Sequence, residues 1–184
     1  TSASGDTLYT GGGNYLIIPG ISAANPILNQ PEGTVTDIDG NVYNTVQIGT
    51  QCWTQSNLTV SKYRNGDYIP NITSNTQWSQ ASTSNTGAWC NYNNDASNGT
   101  TYGKLYSWYA VNDSRGLCPT GWHVPSDAEW TTVTTHLGGT SVAGGAMKST
   151  TGWNAPNTGA TTSSGFTGFT CMSRDFVGDF SYVS

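Results

Sequence analysis

The sequence predicts an α+β, β-rich domain with two main helices and an extended N-terminal arm. Three observations carry this prediction. Short runs of alternating apolar and polar residues recur from Thr34 onward, punctuated by Gly, Asn, Asp and Pro. Two stretches, 102–111 and 126–137, instead space their large apolar residues at helical intervals. Residues 1–33 have neither pattern: they are rich in glycine and carry one short hydrophobic run.

The bulk composition bounds what such a chain can be. Its 184 residues suit one domain over 34–184 with the arm 1–33 before it. Only 9% of residues are charged, against roughly 25% in an ordinary soluble domain. The longest apolar run, Tyr15 to Ile18, falls far short of the ~20 residues of a spanning helix, so membrane insertion is not expected. Aromatic residues make up 11%, with seven tryptophans, enough large rings for a packed core and against disorder. A net charge of −5 with no basic stripe argues against nucleic acid and anionic lipid as partners. The chain begins at Thr1 without a leader and reads as a mature, exported product. Polarity supplied by Thr, Ser, Asn and Gly matches an extracellular or bacterial cell-surface protein.

In the arm, Thr7 to Thr10 and Asn14 to Ile18 read as extended segments around a Gly11-Gly12-Gly13 hinge, and Pro19 and Gly20 end the second. Two readings stay open. The strand packs at the edge of its own domain, or it adds a strand to a neighbouring subunit, with Tyr9, Tyr15, Leu16, Ile17 and Ile18 as the assembly strand. Residues 34–49 read as a hairpin turning at Asp39-Gly40-Asn41. The same stretch invites calcium through Asp37, Asp39 and Asn41. The EF-hand template fails, because the glycine is too early and Ile48 replaces the bidentate Glu.

Residues 50–60 form a further strand-like piece, and 61–100 are dominated by turns, with a short helical turn around Gln77 to Ser79. Leu105, Trp108 and Tyr109 predict the first helix. The second is better marked. Ser126 and Glu129 form a capping box, Asp127 and Glu129 face the positive end of the helix dipole, and Trp130, Val133 and Leu137 share one face. Gly138-Gly139 closes it. Phe166 to Val183 reads as one or two strands interrupted at Gly178.

Taken in order, DIDGNVYNTVQIGTQCWTQSNL, TYGKLYSWYAV, LCPTGWHVPSDAEWTTV and HLGGTSVAGGAMKSTTGWNAPNTGATTSSGFTG resemble the Fibrobacter succinogenes major paralogous domain over residues 34–184. The resemblance implies an exported or surface domain of no established catalytic activity, with a C-type-lectin-like fold. The formylglycine-generating enzyme fold shares the Pro-x-x-x-Glu-Trp helix start, here Pro125 to Trp130. Two departures stand out. Phe169 to Arg174 replaces a Leu-Pro-Gly-Gly-Tyr-Arg-like stretch, so Cys171 is not a family position. The family also continues past the equivalent of Ser184, so its last strands are expected from beyond this sequence or from another chain.

The chemical candidates are few. Cys52, Cys90, Cys118 and Cys171 form no C-x-x-C pair, which argues against a zinc ribbon. Four cysteines in an exported chain predict two disulfides, with all three pairings open. His123 and His136 lack a third metal ligand, and capping accounts for Asp127 and Glu129. There is no nucleophile elbow, phosphate loop or dinucleotide fingerprint. No enzyme activity, cofactor or metal is therefore expected. Asn57, Asn71, Asn98 and Asn112 head N-x-S/T sequons and are candidate glycosylation sites. The expected function is that of an extracellular structural subunit of a bacterial surface fibre or appendage, a homo-oligomer assembled by donating the N-terminal strand. The alternative is a lectin-like adhesion module, with Trp78, Trp89 and Tyr92 stacking on the rings of surface glycans and the Asn91 to Asn98 loop supplying hydrogen bonds.

Overall fold

The structure, a computed structural model, describes residues 16–17, 20–22 and 33–183. Tyr9, Tyr15 and Ile18 of the expected assembly strand lie outside the described residues.

Alternation from Thr34 builds the first hairpin. β3 (Thr34–Thr36) and β4 (Val42–Ile48) pair antiparallel, with Thr36 opposite Val42. Asp37 makes the turn. Its Oδ1 accepts the amides of Asp39 and Asn41 at 2.9 Å, while Oδ2 takes the Asn41 carboxamide and the Tyr43 hydroxyl. Both oxygens serve the turn, which explains the calcium-like spacing without a cation. The same device recurs at the other end of the chain. Between β9 (Cys171–Arg174) and β10 (Phe180–Val183), Asp175 Oδ1 accepts the amides of Val177, Gly178 and Asp179. Both turns place a glycine fourth, at φ +86° for Gly40 and +100° for Gly178, a region that favours glycine.

The strands form three open sheets. The largest has the order β3-β4-β5-β2-β8, with β5 (Gln51–Thr54), β2 (Ile21–Ser22) and β8 (Trp122–His123). A second has the order β1-β7-β6, from β1 (Leu16–Ile17), β7 (Leu105–Tyr106) and β6 (Trp89–Cys90). The β9–β10 hairpin is the third, and β9 lies beside β1.

The expectation of two main helices in a lectin-like domain is corrected: the described residues hold five α-helices around three unclosed sheets. They are α1 (Asn75–Thr83), α2 (Ala96–Tyr102), α3 (Trp108–Val111), α4 (Asp127–His136) and α5 (Thr140–Met147). α4 begins where its capping box predicts. The helix expected over 102–111 is a single turn, α3, because Leu105 and Tyr106 are both buried in β7. α1 and α2 are started by side-chain caps, Ser74 accepting from the Gln77 amide and Asp95 from the Ser97 amide. Within α5, Gly145 is needed because the helix backbone meets another segment there. A Cβ on Gly145 would lie 2.4 Å from the Gly159 carbonyl oxygen.

Three clusters of buried side chains fill the interior. Leu58, Val60, Tyr106 and Trp122 centre one, Trp78, Ala88 and Leu105 a second, and Ile21, Trp53, Val133 and Phe166 a third. The two expected disulfides are also corrected. Cys52, Cys90 and Cys118 are free thiols, Cys90 in the second cluster and the other two at the first. Burial pushes the Cys118 thiol up to about 12 and that of Cys90 to about 11. These are small apolar core residues, with little thiolate to react.

Arg174 ties the C-terminal hairpin to the rest. It is fully buried and faces carbonyls in place of a carboxylate. Nε donates to Gly178 O at 3.0 Å, Nη1 to Ile72 O at 2.6 Å, and Nη2 to Thr73 O and Asn75 Oδ1 at 3.0 Å. The guanidinium also lies 4.3 Å over Trp78 and 4.9 Å from the Phe180 ring centre. Replacing it by Met removes the donor from three carbonyls. Urea unfolding of Arg174→Met is expected to show a loss of roughly 3 kcal/mol or more, with Arg174→Lys recovering only part. A loss below about 1 kcal/mol, in the range of a surface hydrogen bond, contradicts this role.

At α4, burial opposes ionisation of Glu129, but the Ser126 amide and hydroxyl and the His123 ring outweigh it and hold its pKa below the ordinary value. A depressed folded-state pKa contributes stability that is complete above the unfolded value, about 4.3, and fades as pH falls through the folded one. The stability advantage of the wild type over Glu129→Gln is therefore expected to be largest at neutral pH and to shrink progressively below about pH 4. A difference that stays constant as the pH falls counts against it.

Candidate functional site

The most unusual feature of the fold is where the N-terminal segment sits. Gly20 O accepts the Thr54 amide at 2.9 Å, and the Gly20 amide donates to Thr54 Oγ1 at 2.9 Å. Ile21 then stands opposite Trp53 on β5 and opposite His123 on β8, and Ser22 opposite Trp122, all antiparallel. β2 is thus an interior strand. The Ile21 side chain is 1% exposed and joins Val46, Ile48, Trp53, Val133 and Phe166 in the core. A few residues earlier, Leu16 pairs with Tyr106 and Ile17 with Leu105 of β7, on the side where β9 lies. Residues 16–17 and 20–22 therefore complete two sheets. Without them β5, β7 and β8 would each expose an unpaired edge.

The walls of this slot are fixed by other contacts. Arg64 reaches across to hold the β8 side, with Nε on Cys118 O at 3.1 Å and Nη2 on Trp122 O at 3.0 Å. His123 Nε2 lies 2.7 Å from Glu129 Oε1, joining β8 to the α4 cap. The floor is close beneath Gly20: a Cβ there would meet Thr54 Cγ2 and the Trp122 ring at 3.6 Å and Cys118 Sγ at 3.9 Å.

The residues expected from sequence fall as follows. Leu16 and Ile17 pair with a strand of their own chain. Trp78 is buried beneath Arg174, and its Nε1 donates to Asp175 O at 2.9 Å. The half-buried Trp89 donates to Ile69 O at 2.9 Å and carries the Lys104 ammonium 4.0 Å over its ring. Tyr92 packs edge-on against Phe180 with ring centres 5.6 Å apart. The expected platform for sugar rings is thus corrected, since these rings are engaged in internal packing, and the lectin and adhesion expectation falls with it. Of the sequon asparagines, Asn57 donates its carboxamide to Tyr102 O and Asn98 to Tyr92 O, whereas Asn71 and Asn112 are exposed. His136 lies against the Gly49 backbone.

Sequence reasoning missed two features. Ile21 is one, although a lone large apolar residue after Pro19-Gly20 was the available signal. The other is Lys104, whose ammonium donates to the Ser61 hydroxyl and whose pKa is lowered by burial. The pair has the outline of an activated nucleophile. Its surroundings oppose that use: the Trp89 face and nearby Asp39 favour the charged lysine, and the Ser61 amide is committed to Asp39 Oδ2. An open cavity of about 250 Å³ beside β4 and α2 is lined by uncharged residues, among them Asn41, Asn57, Tyr102 and Phe169. Among the described residues no group of three or more His, Cys, Asp or Glu could hold a metal ion, and no helix is long and apolar enough to cross a membrane.

No curated protein matches the chain, and no solved structure does. The family model of the Fibrobacter succinogenes major domain matches residues 46–183, from β4 through β10, and leaves the strand-forming segment 16–22 outside the match. By that match the chain belongs to the Fibrobacter succinogenes major domain family.

Proposed function

We propose that this protein is an extracellular structural subunit of a bacterial surface fibre or appendage, and that subunits join when the N-terminal segment of one enters the slot of the next. The observation that carries the reading is the position of Ile21, an interior residue of a five-stranded sheet supplied by a segment outside the family-matched region. A strand of this kind is held by backbone ladders on both sides and one buried apolar anchor, the usual means of strand addition between chains. Residues 23–33 connect it to β3. Eleven residues span ~36–40 Å when extended, enough to carry the segment to an adjoining subunit. Head-to-tail donation is heterologous and builds an open filament unless it closes into a ring. A low-charge composition rich in Thr, Ser, Asn and Gly supports the extracellular setting.

The slot provides its own reporter. Gly20 is not in the left-handed region, and a Cβ there lies 3.9 Å from Cys118 Sγ, a small adjustment from disulfide geometry. Gly20→Cys, oxidised after assembly, is expected to give a ladder of covalent oligomers on non-reducing gels, collapsing to monomer with reductant. Oxidised monomer alone, in material that electron microscopy shows to be fibrous, sinks the proposal. Deleting residues 1–22, which removes the Ile21 anchor together with the strand before it, is expected to leave unassembled chains, and a truncated chain that forms fibres normally has the same consequence.

A further inference from the structure

The slot has one berth, and in the free chain it is taken. Ile21 is laddered on both sides and buried, so a second strand cannot add beside it; the resident segment must leave first. Among the described residues, the backbone pairing that holds the resident is short: two residues of β1, two of β2, and the Thr54 contacts of Gly20. The hydrogen bonds of Arg64 to Cys118 O and Trp122 O and the His123–Glu129 pair lie between residues that stay behind. The acceptor walls are therefore braced independently of the occupant. We infer that the slot accepts residues 16–22 of a second copy of this chain, and that the chain's own segment is the competitor that keeps the free subunit closed. This rests on the reading of the segment as a donor and adds that the free subunit is self-complemented. The resident has the advantage of tethering: its effective concentration is of millimolar order, far above that of a free donor. Weakening its anchor opens the slot.

The probe is a fluorescein-labelled peptide of residues Asn14 to Ala24, added to the full-length chain and followed by anisotropy. The wild-type chain is expected to bind it at least about tenfold more weakly than the Ile21→Asp chain, whose own segment cannot bury a carboxylate. The Ile21→Ala chain, which keeps an apolar but smaller anchor, is expected to fall between them. A peptide carrying Ile21→Asp is expected to bind none of the three. Because Ile21→Asp can impair folding, its thermal transition is recorded with and without the wild-type peptide, and the peptide is expected to raise it. Equal binding by wild-type and both variant chains overturns the competition. Failure of both variants to bind the peptide, with no shift in the transition, overturns the slot as an acceptor. The donor reading is judged separately by the Gly20→Cys ladder: a ladder with equal peptide binding leaves donation standing and removes self-complementation, and peptide binding by the variants without a ladder does the reverse.

Discussion

An interior strand must satisfy both of its edges, and here that requirement falls on a segment of three described residues. Gly20 to Ser22 lie between β5 and β8, and among the described residues no other strand joins those two. The backbone groups on either side have no alternative partner inside the sheet, and an unpaired buried amide or carbonyl costs about as much as the hydrogen bond it lost. Ile21 adds the apolar contact that fixes register, because a shift by one residue would turn its side chain away from Trp53 and Phe166. The five-stranded sheet is thus continuous only while the segment is in place. The family-matched part of the chain, from β4 onward, contains the walls of the slot but not its filling.

The scarcity of charge has a matching structural explanation. The chain has six basic residues, and each is engaged in the fold. Lys62, Lys104, Arg115, Lys148 and Arg174 lie over the rings of Tyr68, Trp89, Tyr63, Trp153 and Trp78. The sixth, Arg64, holds two carbonyls at the slot wall. Cations over aromatic faces make use of a composition rich in rings and poor in carboxylates. Arg174 goes furthest, replacing a counter-ion by carbonyls and two aromatic faces, and it anchors the hairpin whose first strand lies beside β1. The contacts that organise the C-terminal half therefore also position the surroundings of the N-terminal segment.

Local signals in the sequence were legible where they were short-range. Asp39-Gly40-Asn41 predicted the first hairpin, Gly178 an interruption of the last strand region, and Ser126 with Glu129 the start of α4. Where partners are distant in sequence, the same methods failed. Leu105, Trp108 and Tyr109 are spaced as on a helix, yet Leu105 is a strand residue and Trp108 is 42% exposed, because pairing with β1 and β6 decides the conformation there. α1 and α2 are rich in Asn, Ser and Thr, poor helix formers, and are started by side-chain caps, while α5 carries two glycines and packs through the Gly145–Gly159 approach. The cysteines suggested disulfides by count alone, but their distribution over separate clusters is a tertiary fact. For the slot, composition marked an apolar stretch between glycines. It could not identify Ile21 as the anchor, since burial there depends on β5 and β8.

The central claim is that this segment crosses between subunits. Electron cryo-microscopy of the assembled protein tests it most directly, by following the main chain backward from β3 through residues 33–23 into the nearest slot. The account predicts that the density leaves its own subunit and that Ile21 lies between β5 and β8 of the neighbour. A chain that returns to fill its own slot, with subunits joined only through other surfaces, would contradict it.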